Sequence, residues 1–353
     1  YAERCARMTA DIDATKKGAA VIFGKEKELP YCGTLDGDKH YLKLNISVSD
    51  NPAAFIRYME SGTVKNLIFT GAISITSEDE SQPTGLIGVA AMVEGSSVRI
   101  ENCVSAVTIT NPKGGAIGLG GLVGESSADG GGQLLISNSC FVGRIDAPKA
   151  SYIGGLVGKA SSDVTLKDCF VSSNTTALIN AEDKVVTKDN CYINPVKDST
   201  VCGALCFALN KGVTDGSQAW YQHLASPKDS IPYPFSRYSD DVVVKNKDGK
   251  YENPCDHKFD ANGFCTLCGA INPDAKEVTI SSNYNMRRWA DWVNEGHGDV
   301  SVKLATDVNY EHIGKDVTYT GTFDGQGHKV FVNLGDVARP AMWVNFAGSL
   351  RNT

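Results

Sequence analysis

The densest group of reactive side chains lies late in the chain, in the pattern Cys-x-His-x7-Cys-x2-Cys-Gly. Its candidate metal ligands are Cys255, His257, Cys265 and Cys268. A Cys-x2-Cys turn points two thiolates at one centre, and a nearby Cys and His complete the tetrahedral shell that Zn²⁺ prefers. Two disulfides, or one disulfide with a spare thiol, are the alternative. The extra histidine and the glycine after the turn favour zinc. Four protein ligands leave no position for a reactive water, so the predicted zinc is structural.

A second set of ionisable residues recurs in a Gly-Thr-x-Asp-Gly turn. Asp36 and His40 stand in the first copy, and Asp324 and His328 stand in the second. Such a pair could act as acid and base, but its recurrence at equivalent places favours a structural interpretation, in which the aspartate fixes a tight turn. The sequence contains no HExxH, G-x-S-x-G or GxxxxGK[ST] motif. We therefore predict no catalytic residue and assign no ligand-binding residue. Carboxylates brought together from distant strands remain an alternative.

Composition restricts the class of protein. The 353 residues are 42% hydrophobic and 21% charged, as in an ordinary folded protein. The net charge is −7 with no basic run, which argues against a nucleic-acid partner. No apolar stretch has the length of a transmembrane segment. The chain begins at Tyr1 without methionine or signal peptide, so we expect a fragment. Eleven cysteines are an odd number, and the pairing of four of them stays open: Cys5, Cys32, Cys202 and Cys206.

Short internal repeats dominate the first part of the chain. A Gly-Leu-Val-Gly signature occurs at 85–88 (with isoleucine third), 121–124 and 155–158, at spacings of 36 and 34 residues. Each signature precedes a polar turn and an alternating apolar strand pattern. An Asn or Asp occupies the same place in successive strands, at Asn66, Asn102, Asn138, Asp168 and Asn190. Such units bury their apolar faces only by stacking on one another.

The repeats predict a mainly β protein, a right-handed parallel β-helix or solenoid. Its glycines would permit sharp corners, and its Asn and Asp side chains would form a ladder. Cys103, Cys140 and Cys169 follow those Asn or Asp positions by one or two residues, and Cys191 follows Asn190. We predict a stack of buried, reduced thiols that act as small hydrophobic residues. A redox or metal role is the alternative.

A larger repeat encloses the small ones. Residues 31–40 recur as 319–328, offset by 288, and 8–13 resembles 304–309. We predict a solenoid module over 1–200 without its N-terminal cap and a Cys/His connector over 201–274. The first part of a second module follows over 275–353 and breaks off. One helix is predicted, at about Asn283 to Glu295, with Met286, Trp289, Ala290 and Val293 on one face as the cap of the second module.

The Gly-Leu-Val-Gly units with trailing Asn-Cys strands resemble the GLUG-motif repeats of bacterial cell-surface proteins. That family includes adhesin-like proteins and the non-catalytic repeats of immunoglobulin A-specific metallopeptidases. The segment 321–328 looks like the usual opening of such a β-helix. The segment from Cys255 to Gly269 is similar to short Cys/His inserts between modules of surface proteins of gut anaerobes. The resemblance implies architecture and transfers no catalytic residue.

The resulting functional hypothesis is a non-catalytic bacterial protein, secreted or at the cell surface. It would serve adhesion, binding or display and contact a glycan or a host or bacterial surface protein. One alternative is a carbohydrate-active β-helix enzyme, a lyase or glycosidase, which would need a cluster of charged residues on one face. Another is the non-catalytic repeat region of a large surface protease. Fold alone does not choose between them.

Overall fold

The structure is a computed structural model that describes most of the chain. The described residues are 3–15, 22–48, 52–76, 83–112, 118–128, 130–181, 184–195, 203–211, 219–222, 231–236, 257–266, 269–309, 313–314, 317–331 and 341–353. The protein is mainly β: of the described residues, 48% are in strands and 7% in helices, and the sheets are parallel. The prediction of a mainly β protein with parallel strands is confirmed. Among the described residues, no helix is long and apolar enough to span a membrane.

The chain forms two compact units. The first comprises Tyr1–Asn194, Leu209–Tyr221 and Tyr233–Asp241, and the second comprises Pro195–Ala208, Gln222–Pro232 and Val242–Thr353. The predicted three-part division at residues 200 and 274 stays a prediction.

The strands of the first unit are short, apart from two of 14 residues. They are β1 (Ala6–Arg7), β2 (Ile12–Ala14), β3 (Thr34–Asp36), β4 (Tyr41–Val48), β5 (Ala53–Met59), β6 (Gly62–Ile75), β7 (Thr84–Met92), β8 (Ser97–Thr110), β9 (Leu119–Gly120), β10 (Val123–Ala128), β11 (Gln133–Ser137), β12 (Cys140–Phe141), β13 (Arg144–Asp146), β14 (Ile153–Gly154), β15 (Val157–Ser161), β16 (Asp163–Lys167), β17 (Phe170–Val171), β18 (Ile179–Ala181), β19 (Val186–Asp189) and β20 (Tyr192–Ile193).

Two parallel sheets of the first unit repeat the sequence register. The larger has 13 strands, with the path β1-β3-β6-β8-β11-β16-β19, and the smaller has seven, centred on β7, β10 and β15. Val64 pairs with Ile100, 36 residues later, and Ile87 pairs with Val123, which pairs with Val157. These positions are apolar and inaccessible to solvent. Equivalent residues therefore lie above one another, and their inward faces form one continuous core.

Two of the six glycines in the Gly-Leu-Val-Gly signatures are required for a reason that was not predicted. Backbone φ is positive at the Asn and Asp positions rather than at any of the six signature glycines. A methyl group on Gly121 would overlap the Phe141 ring, and one on Gly155 would overlap the Val171 side chain. Glycine is required there because the backbone approaches core side chains closely. These two glycines also lie at the bends between β9 and β10 and between β14 and β15, so the predicted corner role is confirmed for them. The other four signature glycines lie within strands.

A short helix, α1 (Ala204–Leu209), precedes the elements of the second unit. These are β21 (Glu277–Ile280), α2 (Asn283–Asn294), β22 (Ser301–Leu304), β23 (Val308–Asn309), β24 (Thr322–Asp324), β25 (Val330–Phe331) and β26 (Ser349–Arg351). Strands β21, β22, β24 and β26 form one parallel sheet in that order, and β23 pairs with β25.

Helix α2 confirms the predicted helix. Ser282 caps its start, since the Ser282 Oγ accepts a hydrogen bond from the Asn285 N–H at 3.1 Å. The chain turns away at Gly296, where φ is 120°. Its apolar face is buried in one cluster with Val302, Leu304 and Phe323 of the neighbouring strands. The buried residues on that face include the four predicted ones, Met286, Trp289, Ala290 and Val293.

Candidate binding face and Cys/His segment

The corners of the first unit are built by five left-handed residues. Asn and Asp tolerate this backbone conformation better than other side chains with a Cβ. The Asn102 Nδ2 donates to the Asn66 Oδ1 at 3.1 Å, and the Asn190 Nδ2 donates to the Asp168 Oδ1 at 2.7 Å. The predicted side-chain ladder is confirmed at these steps. The corner residues have φ between 45° and 54°: Asn66, Asn102, Asn138, Asp168 and Asn190.

The residue after each corner is also in register. The thiols of Cys103, Cys169 and Cys191 each point at the backbone carbonyl two residues earlier, at 3.1–3.3 Å. Ser139 takes this place in the intervening repeat, where its hydroxyl donates to the Ser137 carbonyl at 2.7 Å. A small side chain with a donor therefore fits the site, and a hydroxyl can replace the thiol.

Cys140 does not share that position. It lies two places after Asn138, as the sequence shows, and pairs with Val104 and Phe170 rather than with another cysteine. The prediction of buried, reduced thiols is confirmed, because Cys103, Cys140 and Cys169 are at most 1% exposed and in no disulfide. Burial raises the pKa of Cys103 to about 12 and the pKa of Cys140 and Cys169 in the same direction. Such thiols stay protonated and unreactive.

The repeated Gly-Thr-x-Asp-Gly turn has the same hydrogen bonds in both units. The Asp36 Oδ1 accepts from the Asp38 N–H at 2.9 Å and from the Asn66 Nδ2 at 3.0 Å. In the second copy, the Asp324 Oδ1 accepts from the Gln326 N–H at 3.1 Å and from the Asn352 Nδ2 at 2.9 Å. Both aspartates therefore fix the turn and engage the next corner residue, as the structural interpretation predicts.

Each turn histidine faces a different acid from the one in its own turn. The His40 Nδ1 lies 3.0 Å from the Asp11 Oδ1, and the His328 Nδ1 lies 3.4 Å from the Asp307 Oδ1. The Tyr41 N–H, with a smaller contribution from His40, lowers the pKa of Asp11. The Lys329 N–H and His328 lower the pKa of Asp307 in the same way. Sequence analysis did not assign these acids, although both lie in the repeated segments 8–13 and 304–309.

Four adjacent strands of the first unit present mostly polar side chains in two rows. Ser47, Ser74, Thr110 and Asp146 are paired in sequence, and so are Asn45, Ala72, Thr108 and Arg144. Neighbouring parallel strands lie about 4.7–4.9 Å apart, which sets the spacing between members of a row. We call these eight residues the hydroxyl-rich face. It offers hydrogen-bond donors and acceptors at regular intervals, with one acid and one arginine at the β13 edge.

Sequence analysis missed this face, although a signal for it exists. An isoleucine separates the two rows in every strand, and it points into the core. The flanking residues must therefore point outward, because side chains alternate along a strand. The four isoleucines are at most 7% exposed: Ile46, Ile73, Ile109 and Ile145.

The Cys/His segment is described only in part. Cys255 and Cys268 lie outside the described residues, so the predicted convergence of four ligands stays a prediction. Cys265 is 1% exposed, and its Sγ accepts the Lys258 N–H at 3.3 Å. His257 is exposed, and its ring stacks on Phe259 at 5.5 Å. Among the described residues, no group of three or more His, Cys, Asp or Glu side chains could hold a metal.

Hydrogen bonds hold the loop between the two predicted ligand pairs in a turn. The Asp260 Oδ1 accepts the N–H groups of Asn262 and Phe264 at 2.9 and 3.0 Å, so this aspartate closes a turn. The Cys265 N–H donates to the Ala270 carbonyl at 2.7 Å, and the Gly269 N–H returns to the Cys265 carbonyl at 2.8 Å. Amide donation to a buried sulfur suits a thiolate ligand, so the donor chemistry around Cys265 fits zinc.

The chain has few detectable similarities to known proteins. No protein-family model matches the chain, and no curated protein matches it. The chain is similar to a solved structure described as a putative immunoglobulin A1 protease from Bacteroides ovatus, with 17% identity and a TM-score of 0.34. The match covers 54% of this chain and 68% of that one. A similarity at this TM-score carries no argument about fold or function.

Proposed function

We propose that this chain is part of a non-catalytic bacterial surface or secreted protein that binds a ligand along a β-solenoid. The supporting observation is the hydroxyl-rich face, where two rows of outward side chains keep register across β4, β6, β8 and β13. A right-handed solenoid accounts for the 36-residue register and the left-handed corners in every repeat. The likeness of the repeats to the GLUG family supports a location outside the cell.

A glycan is the ligand that this chemistry favours. Serine, threonine and asparagine side chains both donate and accept hydrogen bonds, and sugar hydroxyls require both. The face carries a single carboxylate, Asp146, whereas glycoside hydrolysis by the usual mechanism requires two. Asp146 already accepts the Arg144 Nε at 2.7 Å. The rows therefore suit binding along an extended ligand rather than catalysis at a point.

A glycan array with matched variants tests this proposal. Thr108 lies on the hydroxyl-rich face, and Thr165 is an equally half-buried threonine on β16 outside it. We expect the unaltered chain to bind a subset of glycans. Thr108→Lys should reduce that signal at least about tenfold, the equivalent of about 1.4 kcal/mol, and Thr165→Lys should leave it unchanged. Absence of binding, equal loss in both variants or cleavage of a bound glycan would contradict the proposal.

We also propose that a structural zinc ion is held by Cys255, His257, Cys265 and Cys268. Of the described residues between His257 and Asn272, Phe264 and Ile271 join the core of the second unit, so a metal would stabilise this segment considerably. Zinc ligands must be deprotonated, so acid or a chelator should release the ion. Elemental analysis of protein purified without added metal should give about one zinc per chain. Little zinc together with a Cys255 disulfide would leave the oxidised alternative standing.

A further inference from the structure

We call the paired strands β1 and β3 the opening layer of the first unit, and β22 and β24 the opening layer of the second. The two layers have the same strand register. Ala6 pairs with Leu35 and Arg7 with Asp36 in the first unit. Val302 pairs with Phe323 and Lys303 with Asp324 in the second. Met8 corresponds to Leu304 by the same alignment, which offsets this part of the sequence by 296 residues. Differences between the two layers can therefore be compared position by position.

The second unit covers its layer with a strand and a helix. Strand β21 adds to β22, with Val278 opposite Val302. Helix α2 follows directly and inserts Trp289, which is inaccessible to solvent. The Trp289 ring lies 5.4 Å from the Tyr319 ring and 5.8 Å from the Phe323 ring. Its Nε1 donates to the Val300 carbonyl at 3.4 Å, so the indole is satisfied as well as buried.

The first unit has a cavity at the corresponding place. It has a volume of about 310 Å³ and a mainly apolar lining, which includes Met8, Ile12, Phe23, Leu35, Leu42 and Phe55 beside Arg7 and Thr9. Leu35 is the counterpart of Phe323, which Trp289 contacts. Strand β1 is the last strand of its sheet, so among the described residues nothing pairs with its outer edge. An apolar cavity beside an open strand edge is the complement of a β21–α2 segment.

We propose that this cavity and the edge of β1 form a docking site for a strand followed by an amphipathic helix with tryptophan on its apolar face. The strand would pair with β1 as β21 pairs with β22, and the tryptophan would enter the cavity over Leu35. A second copy of the chain is a poor donor, because Trp289 and Val293 are fully buried in their own unit and would have to leave it.

Grafting the segment onto the chain tests the site. The alignment places His297 opposite Tyr1, so residues 276–296 can be joined directly before Tyr1 without a linker. We expect this graft to raise the Tm of the first unit by about 5 °C or more. A control graft with Met286→Asp and Trp289→Asp should give no rise. An unchanged Tm, or equal rises with both grafts, would overturn the proposal.

A labelled peptide provides a second test if the graft prevents folding. The same 21 residues added to the full chain should bind saturably in fluorescence anisotropy. The Trp289→Asp peptide should bind at least about tenfold more weakly, a difference of about 1.4 kcal/mol. Absence of saturable binding up to about 1 mM, which would limit any affinity to about 4 kcal/mol, would overturn the proposal.

Discussion

The opening layers of the two units share a turn and differ in what covers it. Asp36 and Asp324 accept equivalent hydrogen bonds, and His40 and His328 face equivalent acids. Above this common frame, the second unit places α2, whereas the first has a cavity of about 310 Å³. The turn therefore fixes the strand register of a layer whether or not a helix packs on that layer. The apolar surface of the layer must be buried separately, and helix α2 does this in the second unit.

Removing the Trp289 side chain should make the second unit resemble the first. Trp289→Ala would leave a cavity beneath α2 and should lower the free energy of unfolding of that unit by about 3–5 kcal/mol. Trp292→Ala is the control, since Trp292 is only half-buried at the margin of the core and stacks on His297 at 3.6 Å. Urea unfolding followed by tryptophan fluorescence measures both. Equal losses in the two variants would show that α2 does not cover the layer.

We expect the corner hydrogen bonds to contribute more to the free energy of unfolding in a repeat with neighbours on both sides than in a repeat with fewer neighbours. Asn102→Ala removes the hydrogen bond to Asn66 and puts alanine at φ 54°, so we expect a loss of about 2–3 kcal/mol. Asn102→Gly keeps the backbone conformation and should lose only about 1 kcal/mol. Asn352→Ala, at the exposed counterpart, should cost less than Asn102→Ala. Chemical denaturation compares the three variants, and equal effects of alanine and glycine at 102 would refute the left-handed corner.

The smallest expected effect concerns the one acidic corner. Burial raises the pKa of Asp168 above 3.8, partly offset by the Asn190 hydrogen bond. The protonated form is therefore favoured by folding, and that contribution is lost as the pH rises through the raised pKa. Asp168→Asn keeps the acceptor and the left-handed backbone but removes the charge. It should raise the Tm at pH 7 by about 1–3 °C, and the gain should vanish below pH 3.8. A lower Tm at pH 7 would show that the ionised carboxylate stabilises the corner.

Local patterns predicted much of the fold. The spacing of the Asn and Asp residues gave the stacking register, because a corner needs a residue that tolerates positive φ, and such residues are few. The 3.6-residue apolar stripe located α2. The close contacts of Gly121 with Phe141 and of Gly155 with Val171 were not predicted, since they depend on residues 20 and 16 positions away. The sequence left open which residue takes the cysteine place after the corner at Asn138, because the Ser139 hydroxyl meets the same requirement there as a cysteine thiol.

The candidate site was less accessible from sequence. The hydroxyl-rich face depends on alignment of Asn45, Ala72, Thr108 and Arg144, whose side chains share no chemical type and become neighbours only through the ladder. The histidine partners Asp11 and Asp307 were hidden for the same reason, since 29 residues separate Asp11 from His40. The motif Cys255 to Cys268 suggested a metal site without tertiary information, because such a prediction rests on residue type and spacing alone, and it stays a prediction.

Disulfide trapping of neighbouring strands tests the stacked register most directly. Ala72 and Thr108 are paired and outward-facing, and directly opposed Cα atoms lie within the range of about 4.4–6.8 Å that a disulfide spans. In a Cys5→Ser background, Ala72→Cys with Thr108→Cys should form a cross-link under mild oxidation, detected by peptide mass spectrometry. Ala72→Cys with Thr110→Cys, two residues out of register, should form little. A cross-link in the second pair but not in the first, or in neither, would contradict the 36-residue stack.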